Sequence, residues 1–332
     1  MLVYIIRRLM QAALVMVVMS ALVFAGIYLV GDPVAMMISP DANQMERDAV
    51  RAALGLDLPM WRQYLVFVGD AVRGNFGRSF LAGQPAMGLI FERMPATMEL
   101  AVASLIISLA IGLPMGVYAG LRPNSAGSKA IMAGSILGFS LPNFWVGLML
   151  IMTFSIVLPD LLPWWPRLPA SGRGTTVDLW GLKLSFLTAD GWLHLLLPAI
   201  TLSLYKGALI VRLARATARE VLPMDYIKFA RAKGVSESRV VGVHVLKNIM
   251  IPIATVSGLE FGQTVAFAVV TETVFSWPGM GKLLIDSILL LDRPVVVAYL
   301  VVIVVFFVML NLVVDLLYSV LDPRVRLESR AA

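Results

Sequence analysis

The stretch MDYIKFARAKGVSESRVVGVHVLKNIMIP, from Met224 to Pro252, decides how the rest of the chain is interpreted. It is rich in Lys and Arg, yet long apolar segments flank it on both sides. A basic segment of this kind is typical of a loop that stays in the cytoplasm while its neighbours cross a membrane. Whether the neighbours do cross depends on the composition of the whole chain.

The composition is that of a membrane protein. Hydrophobic residues make up 59% of the 332 residues and charged residues 14%, whereas soluble domains average about 45–50% and about 25%. The chain has no Cys and two His, so we expect no disulfide, no metal site and no cofactor. The net charge of +6 fits basic cytoplasmic loops better than a nucleic-acid-binding surface, because the apolar runs argue against the latter.

Six apolar segments are long enough to span a bilayer, which takes about 20 residues. Arg7 and Arg8 precede the first segment, which is longer than the apolar part of a signal peptide and has no clear cleavage site, so we predict an uncleaved span. The predicted fold is an all-α polytopic membrane protein with a single domain over residues 1–332. The predicted spans are residues 9–30, 98–121, 130–158, 193–211, 249–270 and 295–320.

The distribution of Lys and Arg predicts the orientation. With the N-terminus inside, the inner segments hold 15 of these cations and the outer loops hold 11, spread over more residues. Eight of the inner cations lie between Arg212 and Lys247. Cytoplasmic loops carry the excess of Lys and Arg. We therefore predict that both termini and the loop 212–248 are cytoplasmic, and that the loop 31–97 is extracytoplasmic.

The outer loops contain patterned segments of their own. Asp41 is a candidate N-cap for a helix that ends at Gly55. A second helix presents one apolar face, formed by Trp61, Tyr64, Leu65, Val68 and Val72. This helix either lies along the membrane interface or belongs to a small folded cap. Residues 159–192 are rich in Pro, Gly and Trp and are interpreted as a loop with aromatics near headgroup depth.

One segment looks like a phosphate-binding loop and is not one. SWPGMGKLL, at Ser276–Leu284, contains Gly-Lys, but the P-loop requires G-x-x-x-x-G-K-[ST]. Ser276 occupies the first glycine position and Leu283 follows the lysine, so both fixed positions fail. We predict instead a turn followed by a short helix between spans five and six. The turn-forming residues are Pro278, Gly279 and Gly281.

The opening stretch has the boundaries of a short helix. Asp225 is a candidate N-cap and Gly234 a candidate C′ residue, with a helix from Tyr226 to Lys233 between them. Ser236 is a candidate cap for the next helix, which leads into span five. A helix of eight residues is marginal in water, so it needs something to pack against.

The spacing of the residues suggests what this helix presents. Tyr226, Phe229 and Ala230 share one face, and Lys228, Arg231 and Lys233 point elsewhere. The result is an aromatic face surrounded by cations. The alternative is an ordinary basic loop that follows the positive-inside bias, since that bias requires the charges alone.

The stretch resembles the cytoplasmic loop of bacterial ABC-importer permeases of the dipeptide/oligopeptide branch. The branch pattern D-Y-I-x-x-A-R-A-K-G-V, followed by H-x-L-x-N-x-x-I-P, runs here from Asp225 to Pro252. In the wider importer signature E-A-A-x-x-x-G, Lys228 replaces the Glu and Phe229 the first Ala, so no role is carried over for that Glu. Further segments extend the resemblance over nearly the whole chain: IIRRL (5–9), GLDLPMWRQY (55–64), GNFGRSF (74–80), ERMPATMELA (92–101), LPNFW (141–145) and TETVFSWPGMGKLL (271–284).

The resemblance implies a type I ABC-importer permease in the bacterial inner membrane. Such a chain is not an enzyme; it pairs with a second permease, two cytoplasmic ATPase subunits and an extracytoplasmic binding protein. Dipeptides, longer peptides, glutathione, nickel chelates or sugars are the substrates handled by this branch. The helix 226–233 would be the coupling helix that docks on the ATPase. Its site residues would be Asp225, Tyr226, Phe229, Ala230, Arg231, Lys233 and Gly234.

Four polar residues within the spans are candidates for a translocation path. Ionisable groups at such depth usually face a cavity or a partner. Glu260, with Gln263 one turn on, is interpreted either as part of a polar path for peptide termini or as a contact between helices. Lys206 and Asp315 are better explained as contacts between helices or as side chains that reach the inner headgroups.

Two other classes of membrane protein compete with this assignment. A stand-alone secondary transporter usually has inverted repeats or broken helices, and neither is evident in the sequence. An intramembrane enzyme needs a nucleophile–base pair or metal ligands, which His194 and His244 do not supply because both lie outside the interior of the spans. Co-purification with an ATPase would support the ABC-importer permease, and ion-driven uptake by the purified chain alone would support the secondary transporter.

Overall fold

The computed structural model describes residues 2–27, 34, 43–53 and 56–321, with backbone alone at 2–5, 8, 9 and 315–321. The described chain is mostly helical and forms two compact units. One unit comprises Met1–Met94 and Leu283–Met309, and the other Pro95–Lys282 and Leu310–Ala332.

In chain order the helices and strands have the following bounds. The first half contains α1 (Leu2–Ile27), α2 (Gln44–Ala53), α3 (Met60–Val72), α4 (Ala86–Leu121), α5 (Ala126–Ser140), α6 (Asn143–Ile151), a π-helical stretch (Met152–Val157), α7 (Leu158–Leu161), β1 (Val177–Leu179) and β2 (Leu182–Leu184). The second half contains α8 (Ala189–Val221), α9 (Asp225–Ala232), α10 (Glu237–Arg239), a second π-helical stretch (Val240–Val245), α11 (Leu246–Phe267), α12 (Val269–Val274), α13 (Met280–Leu289) and α14 (Arg293–Leu321).

Five continuous helical segments of the described chain are long and apolar enough to cross a membrane. They are Ala86–Leu121, Asn143–Leu161, Ala189–Val221, Glu237–Phe267 and Arg293–Val314. The apolar part of α1 is shorter, Met10–Gly26. Five of the six predicted segments thus coincide with a helix of spanning length, and the six-span count stays a prediction.

The predicted third span, residues 130–158, does not form one continuous helix. Helix α5 ends at Ser140, and Leu141 and Pro142 have extended backbone before α6 begins at Asn143. Proline disfavours the α-helical conformation of the residue before it, which explains the break at Leu141. The expectation of one continuous helix over residues 130–158 is therefore wrong.

Helix α3 packs on α1 within the first unit. The Tyr64 hydroxyl lies 2.8 Å from Ser20 Oγ, and the Phe24 ring lies 5.4 Å from the Tyr64 ring and 5.8 Å from the Phe67 ring. Phe67, which lies outside the predicted apolar face, thus takes part in the packing, while Trp61, Leu65 and Val72 of that face are exposed. Whether the exposed residues lie against the membrane interface stays a prediction.

Helix α2 begins with a capping box. The Asn43 side chain accepts from the Glu46 backbone N–H at 2.9 Å, and the Glu46 carboxylate accepts from the Asn43 N–H at 3.2 Å. The predicted cap, Asp41, and the predicted end, Gly55, lie outside the described residues.

Three glycines let α4 and α8 approach closely. Gly112, Gly116 and Gly120 recur every four residues along α4 and face α8. A Cβ atom at Gly116 would lie 2.6 Å from the Val211 carbonyl oxygen and 2.7 Å from the Ala214 Cβ. Small residues at this spacing allow membrane helices to pack at backbone distance.

A buried ion pair secures the loop 159–192, which contains the β1–β2 hairpin that the sequence analysis missed. The Arg173 guanidinium lies 2.9 Å from the Glu99 carboxylate, and both side chains are buried. The same carboxylate accepts from the Ser185 backbone N–H at 2.7 Å and from its hydroxyl at 2.6 Å. Because a buried charge without partners is costly, Arg173 and Ser185 compensate for the burial of Glu99.

The TETVFSWPGMGKLL and ERMPATMELA segments meet around a second buried carboxylate. Glu272 is fully buried; it accepts from the Thr97 hydroxyl at 2.6 Å and from the Lys282 backbone N–H at 2.8 Å. Thr97 in turn accepts from the Met280 N–H at 2.8 Å. Glu272 and Thr97 therefore cap the N-terminus of α13, whose first N–H groups have no partner within the helix. The predicted turn and short helix are confirmed.

The GNFGRSF segment is held in the same way by Asp292, next to the start of α14. Asp292 is buried, and its carboxylate accepts from the Ser79 hydroxyl and, at 3.1 Å, from the Phe80 backbone N–H. Ser79 Oγ also accepts from the Ala82 N–H at 2.9 Å. Buried carboxylates thus organise the structure at three points: Glu99, Glu272 and Asp292.

The orientation can be tested with two exposed serines. Single cysteines at Ser171, in the loop before β1, and Ser236, after α9, should react with an impermeant thiol reagent from opposite sides of the membrane. The chain has no native Cys, so each signal is specific. Labelling of both positions from the same side of sealed cells would overturn the six-span topology.

Candidate functional site

Helix α9 belongs to the loop 212–248, which is predicted to be cytoplasmic, and one face of the helix packs on an apolar cluster. Ile227 and Ala230 are buried in a cluster that also contains residues of α8, the second π-helical stretch and α11. Members of this cluster include Val221, Val240, Val245, Ile249 and Ile253. This packing supplies the support that an eight-residue helix needs.

The opposite face of α9 is apolar and exposed. Phe229 is 61% exposed, Met224 46% and Tyr226 42%. The expectation that Ala230 belongs to this face is wrong, because Ala230 is buried in the core together with Ile227. Met224, which precedes the helix, belongs to the exposed face and was not predicted to do so. Exposed aromatic and Met side chains are enriched at protein interfaces, so the exposed face is suited to a protein partner.

The C-terminus of α9 has the geometry that the sequence predicts. Gly234 has φ +76°, and its N–H donates to the Arg231 carbonyl at 2.9 Å, while the Val235 N–H donates to the Ala230 carbonyl at 3.2 Å. These two bonds form a Schellman motif, which requires a left-handed residue at C′. Glycine adopts that conformation without a Cβ penalty.

The predicted N-cap is wrong by one residue. Asp225 is the first helical residue, Met224 takes the cap position, and no side chain caps the helix. The Asp225 carboxylate instead accepts from Lys228 Nζ at 2.9 Å, and this hydrogen bond lowers the pKa of Asp225. An acidic residue in the first turn still interacts favourably with the helix dipole.

Two basic residues are fixed beside the exposed face. The Arg231 guanidinium donates twice to the Glu237 carboxylate, at 3.0 and 2.6 Å, and these bonds lower the pKa of Glu237. Lys233 Nζ lies 4.5 Å from the centre of the Phe229 ring, so the expectation that Lys233 points elsewhere is wrong. The exposed aromatic is therefore covered on one side by a cation.

Asn248 connects α9 to α11. Its side-chain amide donates to the Tyr226 hydroxyl at 3.0 Å and to the His244 carbonyl at 2.7 Å. Asn248 is the Asn of the H-x-L-x-N-x-x-I-P pattern, which by itself predicts no role for it. The two partners are 22 and four residues away in sequence, so the contact to Tyr226 could not be read from local periodicity.

The polar residues within the spans differ in their surroundings. Lys206 is buried and its Nζ donates to Ser104 Oγ at 2.7 Å, so it forms a contact between α8 and α4. Glu260 is half-buried and interacts electrostatically with Lys206, whereas Gln263 is exposed. The side chain of Asp315 lies outside the described residues.

The described residues contain no cluster of three or more His, Cys, Asp or Glu that could hold a metal ion. The exposed part of α9 carries aromatic, apolar and charged groups, a composition that is common at protein interfaces.

The sequence matches two family descriptions that together cover almost the whole chain. Residues 112–327 match the binding-protein-dependent transport system inner membrane component, and residues 1–101 match the N-terminal part of such a membrane component.

Individual relatives are similar over the same length. The dipeptide transport system permease protein DppB of Escherichia coli (strain K12) is 38% identical, over 98% of this chain and 99% of the relative. The di/tripeptide transport system permease protein DppB of Pseudomonas aeruginosa (strain UCBPP-PA14) is 40% identical, over 92% and 94%. The glutathione transport system permease protein GsiC of Escherichia coli (strain K12) is 36% identical, over 97% and 98%.

A solved structure shares the fold. The MetNI methionine ABC transporter, in inward-facing conformations, has a chain that superposes with a TM-score of 0.54 over 71% of this chain and 97% of that chain. The sequence identity is 15%, so this likeness shows the fold, that of a type I ABC-importer permease, and nothing about substrate.

Proposed function

The chain belongs to the family of binding-protein-dependent transport system inner membrane components, and on that premise we propose that it imports peptides as one permease subunit of an ATP-driven transporter. The family description places such a component in the inner membrane and makes it dependent on a binding protein. An ABC importer also requires an ATPase. The more specific assignments below go beyond this description.

The substrate we propose is a di- or oligopeptide, or a related solute such as glutathione. Relatives at 36–40% identity are named for dipeptide, di/tripeptide and glutathione transport. These substrates share a peptide backbone and ionised termini, so a path that suits one suits the others chemically. Glu260, half-buried at mid-span, supports a polar path for such termini; Gln263 is its proposed neighbour on that path.

The observation that carries the coupling role is the exposed face of α9. Phe229, Tyr226 and Met224 are displayed on a helix whose other face is buried and whose C-terminus is fixed by Gly234. An aromatic anchor surrounded by charge has the composition of an interface hot spot. We propose that this face enters a socket on a cytoplasmic ATPase, with Asp225, Arg231 and Lys233 at the rim.

The assembly we propose contains a second homologous permease, two ATPase subunits and an extracytoplasmic binding protein. ATP binding brings the two ATPases together, the docked α9 helices move with them, and the spans rearrange towards the outside. Such coupling requires contacts that differ between the two ATPase states. This chain supplies the docking helix and half of the path, and the ATPases supply hydrolysis.

The test is reconstitution with and without the partners. The purified chain alone should hydrolyse no ATP, because the P-loop spacing is missing, and should co-purify with an ATPase from its native membrane. Peptide uptake into vesicles should require the full assembly and ATP. Uptake driven by an ion gradient through the chain alone would assign it to secondary transport instead, and ATP turnover by the pure chain would refute the proposal.

A further inference from the structure

Asn248, in α11, forms a side-chain hydrogen bond to Tyr226, in α9. Its amide nitrogen donates to the Tyr226 hydroxyl at 3.0 Å and to the His244 carbonyl at 2.7 Å. One donor group thus contacts both the N-terminal turn of α9 and the last turn before α11. We refer to these three groups, Asn248, Tyr226 and His244, as the Asn248 clamp.

The other contacts of α9 hold different parts of the structure. The Arg231–Glu237 ion pair joins the C-terminal half of α9 to α10. Ile227 and Ala230 pack on an apolar cluster shared with α8 and α11, which holds the buried face of the helix. The bond from Asn248 to Tyr226 adds a directional contact between the N-terminal turn of α9 and α11.

The clamp also lies beside an unusual segment of backbone. His244 belongs to the π-helical stretch Val240–Val245 that separates α10 from α11. π-Helical turns are rare and occur mostly at functional sites. If a displacement of α9 reached α11 through the backbone alone, it would have to pass through this π-helical stretch. The hydrogen bond from Asn248 to Tyr226 joins the two helices directly.

We propose that Asn248 is a positioning residue that makes α9 and α11 move as one body, so that motion of the docked ATPase reaches the fifth span. This inference rests on the proposed function and names the contact through which coupling travels. Asn248 is itself exposed, so its two hydrogen bonds are not required to satisfy a buried group. Its role is to transmit motion, and folding does not depend on it.

The experiment measures ATP hydrolysed per peptide imported, in the complete transporter in vesicles. The variants are Asn248→Ala, Asn248→Asp and Tyr226→Phe, together with the Asn248→Ala/Tyr226→Phe double variant. Asn248→Asp keeps the shape and loses only the bond to the His244 carbonyl, because a carboxylate cannot donate but can accept from the Tyr226 hydroxyl. It should therefore retain more of the coupling than Asn248→Ala. Tyr226→Phe keeps the ring on the exposed face and removes only the acceptor. Lys247→Ala, at an exposed neighbouring position, is the matched control.

We expect Asn248→Ala to retain the ATPase subunits and ATP turnover, while peptide imported per ATP falls roughly 2- to 10-fold, the size expected for one hydrogen bond. Tyr226→Phe should lower peptide imported per ATP by a similar factor. The double variant should be no worse than either single variant, because both remove the same contact. The control should behave as wild type.

Three results would overturn the proposal if the wild-type transporter still couples uptake to ATP hydrolysis. They are an unchanged amount of peptide imported per ATP in Asn248→Ala, losses that multiply in the double variant, and release of the ATPase subunits by Asn248→Ala. A wild-type transporter that imports without ATP would instead refute the proposed function, so the two failures are distinguishable.

Discussion

Phe229→Ala should abolish peptide uptake in a complex whose membrane abundance is unchanged. The ring is 61% exposed and contributes little to the packing of α9, so its removal should leave this chain folded. If the ring fills an ATPase socket, its loss costs about 2 kcal/mol or more of docking free energy, a factor of roughly 30 in affinity. The measurement is ATPase retention on affinity purification, with uptake and ATP turnover at matched levels.

Two further variants distinguish the role of the Phe229 ring from the roles of the residues around it. Gly234→Val should have a similar effect for another reason, because a β-branched residue is strained at φ +76° and the end of α9 would be displaced. Lys228→Ala should have little effect, since its partner Asp225 is almost fully exposed and exposed ion pairs contribute little. Wild-type values for Phe229→Ala and Gly234→Val on all three measures would leave α9 as an ordinary basic loop.

Glu272→Ala should strongly destabilise the protein. The carboxylate is fully buried and accepts from Thr97 and from the first N–H groups of α13. Each buried donor left without a partner costs about 1–3 kcal/mol, and α13 loses its N-terminal cap. We expect a large fall in the thermal unfolding midpoint in detergent, together with low abundance in the membrane.

The neighbouring Thr273→Ala is the matched control, because Thr273 is exposed and its hydroxyl bonds within its own helix. The unfolding midpoint of Glu272→Gln should lie between those of Glu272→Ala and Thr273→Ala. The amide keeps one acceptor oxygen, but its NH₂ group is a donor that faces backbone N–H groups. An unfolding midpoint for Glu272→Ala equal to that of Thr273→Ala would show that the cap does not stabilise α13.

The sequence by itself determined the solvent and the class of this protein. Apolar runs of about 20 residues and a 14% share of charged residues indicate a chain that spans a membrane. Because backbone polar groups in lipid must bond to one another, essentially only helices and closed barrels can span. Local chemistry also predicted Gly234 at the end of α9 and the turn before α13, since both depend on a few consecutive residues. The family followed from motifs spread along the chain.

Tertiary structure decided which side of each element is used. Spacing put Tyr226, Phe229 and Ala230 on one face, but the side of α9 that is buried is set by Val240, Val245 and Ile249, which come later in the chain. The same holds for the acidic residues. Glu99 and Glu272 look like any carboxylates in the sequence, and their partners Arg173 and Thr97 lie 74 and 175 residues away. Burial is a property of the packed chain, and no local pattern of residues encodes which distant donor compensates a buried charge.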